Sequence, residues 1–155
     1  MAKPANLFVP ASYTQATNST AEVVMGSVTI PAFFLRSPYK LDLDALCKLP
    51  STNSTDTFAF KLKVGSQVVA TVAAHDVVNN EVVACKASGS ISNSKLQSFG
   101  ISGGSASSLG STVLSDIAVD TNADVVISVT GQFSVASASN VADLKHLIVN
   151  LQPLD

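Results

Sequence analysis

The chain of 155 residues is 46% hydrophobic but only 13% charged, with nine Lys and Arg against eleven Asp and Glu. Such a chain is too apolar for a disordered polymer, lacks the Ala/Glu/Lys/Arg bias of a coiled coil, and at a net charge of −2 offers no electrostatic footprint for nucleic acid. Its 20 Val, 22 Ser and 11 Thr point to strands and turns, in one domain large enough to fold without disulfides or metal.

Residues 1–22 contain Pro4, Pro10, a polar run from Thr14 to Thr20 and one apolar patch, Leu7-Phe8-Val9, with no sustained period. This reads as an extended N-terminal arm, disordered when free and, where it is ordered, ordered by a neighbouring subunit. Neither Leu7-Phe8-Val9 nor Ala32-Phe33-Phe34-Leu35 is long enough for a secretory core or a membrane span, so synthesis in a cytosol, without membrane association, is expected. In that setting the sequons at Asn18 and Asn53 are products of a Ser/Thr-rich composition.

Residues 23–155 alternate as strands do. Val24, Gly26, Val28 and Ile30 share one parity, and Pro31 ends the run because it cannot donate to a ladder. From Tyr39 to Leu49, Tyr39, Leu41, Leu43, Ala45, Cys47 and Leu49 oppose Lys40, Asp42, Asp44, Leu46 and Lys48, period two with Leu46 as the one exception and the strongest strand signal in the chain. A polar loop at 50–56 precedes Phe58, Phe60, Leu62 and Val64, and Gly65-Ser66 has the form of a two-residue hairpin turn leading into a partner strand at 67–74. A turn is predicted over 75–80, a strand over 81–91, and a short strand over 95–101, followed by a mobile Gly/Ser-rich loop at 102–110. Strands are then predicted over 111–119 and 125–133, the second with Val125, Ile127, Val129, Gly131 and Phe133 inward and Ser128, Thr130 and Gln132 outward. A small-residue loop at 134–140 leads to a last strand whose apolar parity changes after Leu144, which predicts a β-bulge near Lys145-His146. Eight or nine short strands with regular turn signals predict an all-β, antiparallel β-sandwich, jelly-roll-like, with the N-terminal arm attached.

Little in this pattern carries chemistry. Cys47 and Cys85 have no zinc or redox spacing and read as buried thiols. His75 and Asp76 are sequence neighbours, which on a strand face opposite ways, and no Gly-x-Ser-x-Gly elbow accompanies the serines. Asp42 and Asp44 share an outward face, but such pairs are ordinarily just solvated, and Asp120 and Asp124 read as turn residues. No nucleotide signature is present. The expectation is therefore a non-enzyme without metal or cofactor.

Several stretches, taken in order, resemble a known pattern. They are Val28-Thr-Ile-Pro-Ala32, Leu41-Asp-Leu43, and Thr57-Phe-Ala-Phe-Lys-Leu-Lys-Val-Gly65 with its return Val68-Val-Ala-Thr71. Val119-Asp-Thr121, Val129-Thr-Gly-Gln-Phe-Ser134, Ala136-Ser-Ala-Ser-Asn140 and Leu147-Ile-Val-Asn-Leu151 complete the set. Over residues 23–152 the chain resembles the β-sandwich domains of tailed-bacteriophage virion structural proteins, both head decoration and tail-fibre types. It departs from them at Gly131-Gln132-Phe133, where a Trp is common, and at 36–39, where a Gly-bearing turn is usual. The resemblance implies a homotrimer without catalytic residues. The absence of a shaft repeat favours a capsid decoration (cement) protein, made in the host cytoplasm and carried on the capsid surface of the virion. It would bind the major capsid protein through Leu7, Phe8 and Val9 of the arm. The alternative is a short tail-fibre or receptor-binding module that recognises a host surface glycan.

Overall fold

The computed structural model describes residues 6–35, 38–53, 55–92, 95–105 and 116–154. Among them are eleven strands and no helix: β1 (Asn6–Phe8), β2 (Ala16–Thr17), β3 (Val23–Ile30), β4 (Tyr39–Ser51), β5 (Thr57–Val64), β6 (Gln67–Asp76), β7 (Glu81–Ser92), β8 (Lys95–Ser105), β9 (Asp116–Ala118), β10 (Val125–Phe133) and β11 (Val141–Pro153). The larger sheet runs β1-β11-β4-β7-β8-β9, with β2 also on β11; the smaller runs β3-β10-β5-β6. All the pairings are antiparallel. The two inner faces close on one core, so the protein is an all-β sandwich.

The period-two residues build that core. Leu41, Leu43, Ala45, Cys47 and Leu49 of β4 face Phe58, Phe60, Leu62 and Val64 of β5 across the layers, and all are buried. The ring of Phe58 lies 4.8 Å from that of Phe133 and 6.2 Å from that of Phe60. Gly131 is needed beside them: a Cβ there would stand 2.8 Å from the Phe58 ring and 2.7 Å from Met25 Sδ. The hairpin at Gly65-Ser66 forms, with Gly65 at φ +60°. The bulge in β11 falls where the parity changed: Leu144 pairs with Cys47 and His146 with Leu46, leaving Lys145 as the extra residue.

Other expectations need correction. In β3 the face is not continuous, because the register passes from Val129–Gly26 to Thr130–Val24 and leaves Met25 unpaired. This bulge turns Met25 inward and leaves Val24 51% exposed. Ser128 and Thr130, expected outward, are buried; Thr130 is covered by Glu22, to which its hydroxyl donates at 2.6 Å. The turn expected over 75–80 begins later, since β6 runs through His75 and Asp76, paired with Phe58 and Thr57. The Gly/Ser segment is strand as far as Ser105, with Gly103 and Gly104 opposite Cys85 and Ala84. The long ladder offered by β7 outweighs their weak strand propensity. The remainder of that predicted loop, 106–110, and the start of the strand expected at 111 lie outside the described residues.

The arm also differs from expectation. Asn6, Leu7 and Phe8 pair with Leu151, Asn150 and Val149, and Ala16 and Thr17 pair with Ala142 and Val141. Thr14 N–H donates to Met25 O at 2.7 Å, and Gln15 Nε2 to Asp143 Oδ1 at 2.6 Å. Ala16 belongs to the core. The described part of the arm thus pairs with its own sandwich.

Candidate functional site

Of the three arm residues named from the sequence, Leu7 and Phe8 sit on β1, the edge strand of the larger sheet, and Val9 follows directly after it. Alternation divides them: Phe8 turns in and packs against the core, while Leu7 and Val9 turn out, 65% and 58% exposed. Phe8 meets Phe34 edge to face, ring centroids 6.2 Å apart. Beyond Pro31 the chain cannot continue the ladder and makes a tight turn. Phe34 N–H bonds Pro31 O at 3.2 Å and Phe33 N–H bonds Thr121 O at 2.8 Å. That turn holds Phe33 at φ +70° with its ring 63% exposed. A bulky side chain in the left-handed region costs about 1–3 kcal/mol, and here it presents an aromatic ring to solvent. Asn6, Ala32, Phe33, Phe34 and Tyr39 line a cleft of about 290 Å³ beside β1. The chain thus brings Leu7 and Phe8 to the same edge as Phe33 and Phe34, an arrangement the sequence does not disclose. Of the run Ala32-Phe33-Phe34-Leu35, only Leu35 is fully buried, and nothing local to those four residues says which turns out.

The polar candidates are engaged in structural contacts. Asp42 and Asp44 lie on the outer face as expected: Asp42 meets Lys40 at 3.1 Å and accepts from Ser88 Oγ at 2.6 Å, and Asp44 meets Lys86 at 3.5 Å and His146 Nε2 at 3.3 Å. Asp120 Oδ1 accepts the Asn122 N–H at 3.0 Å, a turn contact, and Asp124 Oδ1 accepts the Ala32 N–H at 2.9 Å. His75 is joined to Glu81, a residue the sequence does not single out, at 2.8 Å. Among the described residues no three His, Cys, Asp or Glu gather in a group that could hold a metal ion. Both cysteines are buried; burial pushes the Cys85 thiol up to about 12 and the Cys47 thiol higher still.

No family model matches the chain, and no curated protein matches it. Among solved structures it is similar to the CBM2 module of the evolved Dit of Lactobacillus casei BL23 phage J-1, at TM-score 0.44 and 10% identity over 96% of this chain and 91% of that one. It is also similar to the structure of infectious bursal disease virus Gx strain, at TM-score 0.46 and 8% identity over 98% of this chain; there it spans 33% of the other chain.

Proposed function

We propose that this chain is a virion structural protein: a trimeric, non-catalytic decoration protein that seats on the shell of major capsid protein and braces the head. The observation that carries this reading is the apolar edge on which Leu7, Val9 and Phe33 project while Phe8 anchors the strand beneath them. The sequence resemblance to phage virion β-sandwiches supports the same reading.

The physics of attachment follows from that edge. A short edge strand leaves main-chain donors and acceptors on its outer side, which a partner strand or loop can pair with. Covering an apolar side chain fully is worth about 1.5–3 kcal/mol, and much of that is offset by the cost of association. One such edge therefore binds weakly. Three edges on one trimer bind by avidity, because the second and third contacts become intramolecular. Bridging several capsid subunits then adds buried area across joints that outward pressure strains.

The test is sedimentation of the full-length protein, followed by its addition to expanded heads of its own virus. A trimer that adds in stoichiometric number supports the reading, as does loss of attachment in Leu7→Asp with the fold retained. A monomer, or attachment at a tail tip only, overturns it.

A further inference from the structure

The outer face of the larger sheet carries a second feature, a cleft of about 500 Å³ crossing β11, β4 and β7. That volume is in the range of small-ligand sites, about 300–1,000 Å³. The register sets Asn150, Asp42 and Ser88 in one row across the strands, and Ile148, Asp44 and Lys86 in the next. Strand spacing of about 4.8 Å and a same-face repeat of about 7 Å along each strand put these side chains on a grid with the dimensions of a pyranose ring.

The charges in the cleft cancel locally. Lys40 is held by Asp42 at 3.1 Å, and Lys86 and His146 converge on Asp44 at 3.5 and 3.3 Å. A free anion or cation would have to compete with an existing partner for every charge it met. A neutral molecule that both donates and accepts hydrogen bonds meets no such competition. An ammonium has three donors and a carboxylate about four acceptor positions, so each pair keeps unused capacity. Asn150 also lines the cleft, although its Oδ1 is turned away from solvent, buried without a hydrogen-bond partner. Such an atom marks a place where polar satisfaction is incomplete.

We propose that this cleft binds a neutral saccharide unit, with ring hydroxyls donating to Asp42 and to Ser88 Oγ, whose own proton is held by Asp42, and accepting from Lys86, and with a C–H face against Ile148. The assignment goes beyond the shell-bracing role. It uses none of Leu7, Phe8, Val9 or Phe33 as a contact, and its test leaves Leu7, the strand partner of Asn150, unchanged, so either can fail while the other stands.

The test is an amide NMR titration of the full-length protein with the methyl glycosides of glucose, galactose, mannose and N-acetylglucosamine, each taken to about 10 mM, where single-ring binding of millimolar Kd is visible. One or more should shift amides at 40–44, 86–88 and 148–150. Asp42→Asn and Ser88→Ala should each weaken that binding about fivefold or more, as expected for lost hydrogen bonds, with the fold retained. The affinity should hold when NaCl is raised from about 0.05 to about 0.5 M, because a neutral ligand is not screened. The proposal is overturned if no glycoside shifts these amides, if the shifts map elsewhere, if both variants bind as the parent does, or if only sulfated sugars bind and salt removes them.

Discussion

His75 Nε2 lies 2.8 Å from Oε1 of Glu81, a side chain with no solvent exposure, so one contact ties β6 of the smaller sheet to β7 of the larger. The other Glu81 oxygen accepts the Val78 N–H at 2.9 Å, and His75 Nδ1 lies 3.0 Å from Ala73 O. Glu81 is therefore a staple between the layers. Glu81→Ala leaves the part-buried imidazole and the Val78 N–H without this acceptor, and should cost about 1–3 kcal/mol. Glu81→Gln keeps an acceptor oxygen and should cost less than half as much. Urea denaturation measures both; a loss below ~1 kcal/mol for the Ala variant is incompatible with a staple.

A second clamp involves Glu22, which leads into β3. Its Oε1 takes Lys63 Nζ at 2.6 Å and Thr130 Oγ1 at 2.6 Å, with Lys61 Nζ at 3.9 Å. The Lys63 contact first, and the Thr130 hydroxyl second, hold this carboxyl below its ordinary value of 4.5. A lowered folded-state pKa contributes stability that is complete above the unfolded value and is lost as the pH falls through the folded one. Glu22→Gln should therefore cost about 0.5–1.5 kcal/mol at neutral pH, a modest figure because the side chain is partly exposed and screened. The difference from the parent should close as acid protonates Glu22. Chemical denaturation of both proteins across the acid range reads this directly; a gap that persists at the lowest pH means the carboxylate charge is not its source.

In the core, Gly131 of β10 sits opposite Phe60 of β5, under the Phe58 ring that packs on Phe133. A methyl group at 131 must displace that ring or Met25, and only Met25 is flexible enough to give. Gly131→Ala should cost about 1–3 kcal/mol by overpacking. Phe60→Ala should cost about 3–5 kcal/mol by leaving a cavity. A Gly131→Ala variant as stable as the parent would mean that Met25 repacks without strain.

What the sequence disclosed and what it hid divide along physical lines. β4 and β5 were legible because a face buried on one side imposes a period on its own residues, and the β11 bulge was legible because it shifts that period. The Met25 bulge was hidden: Val24, Gly26 and Val28 satisfy the alternation just as well without it, and the extra residue is defined only against β10. The strand at Gly103-Gly104 was hidden because its ladder is supplied by β7 rather than by its own propensity. Asn140 reads as the end of a small-residue loop, yet it is fully buried, donating to Asp56 at 2.8 Å and accepting from the Asn53 N–H at 2.8 Å. At the candidate site, Leu7, Phe8 and Val9 stood out as the one apolar patch in a polar arm. Their meeting with Phe33 and Phe34 is a tertiary fact created by β1 pairing with β11.

The two thiols supply a test of the sandwich interior. Cys47 pairs with Val83 and Cys85 with Ala45, so the cysteines are diagonal neighbours on the inner face of β4 and β7. Burial raises both thiols above the ordinary 9.0, Cys85 to about 12 and Cys47 further, with the Asp143 carboxylate adding to the effect at Cys47. The thiolate is the reactive form, so neither cysteine of the folded protein should react with a disulfide reagent at neutral pH, and both should react once guanidinium unfolds the chain. The same shift sets a pH dependence. A raised folded-state pKa gives stability that is whole below the unfolded value near 9 and is lost as the pH climbs toward the folded one. Each thiol should then remove about 1.4 kcal/mol per pH unit above that point. Replacing both by Ala should flatten the alkaline slope relative to the parent while lowering stability at neutral pH through lost packing. Rapid labelling of either thiol in the native protein, or an alkaline slope unchanged by the double replacement, would place the cysteines outside the core.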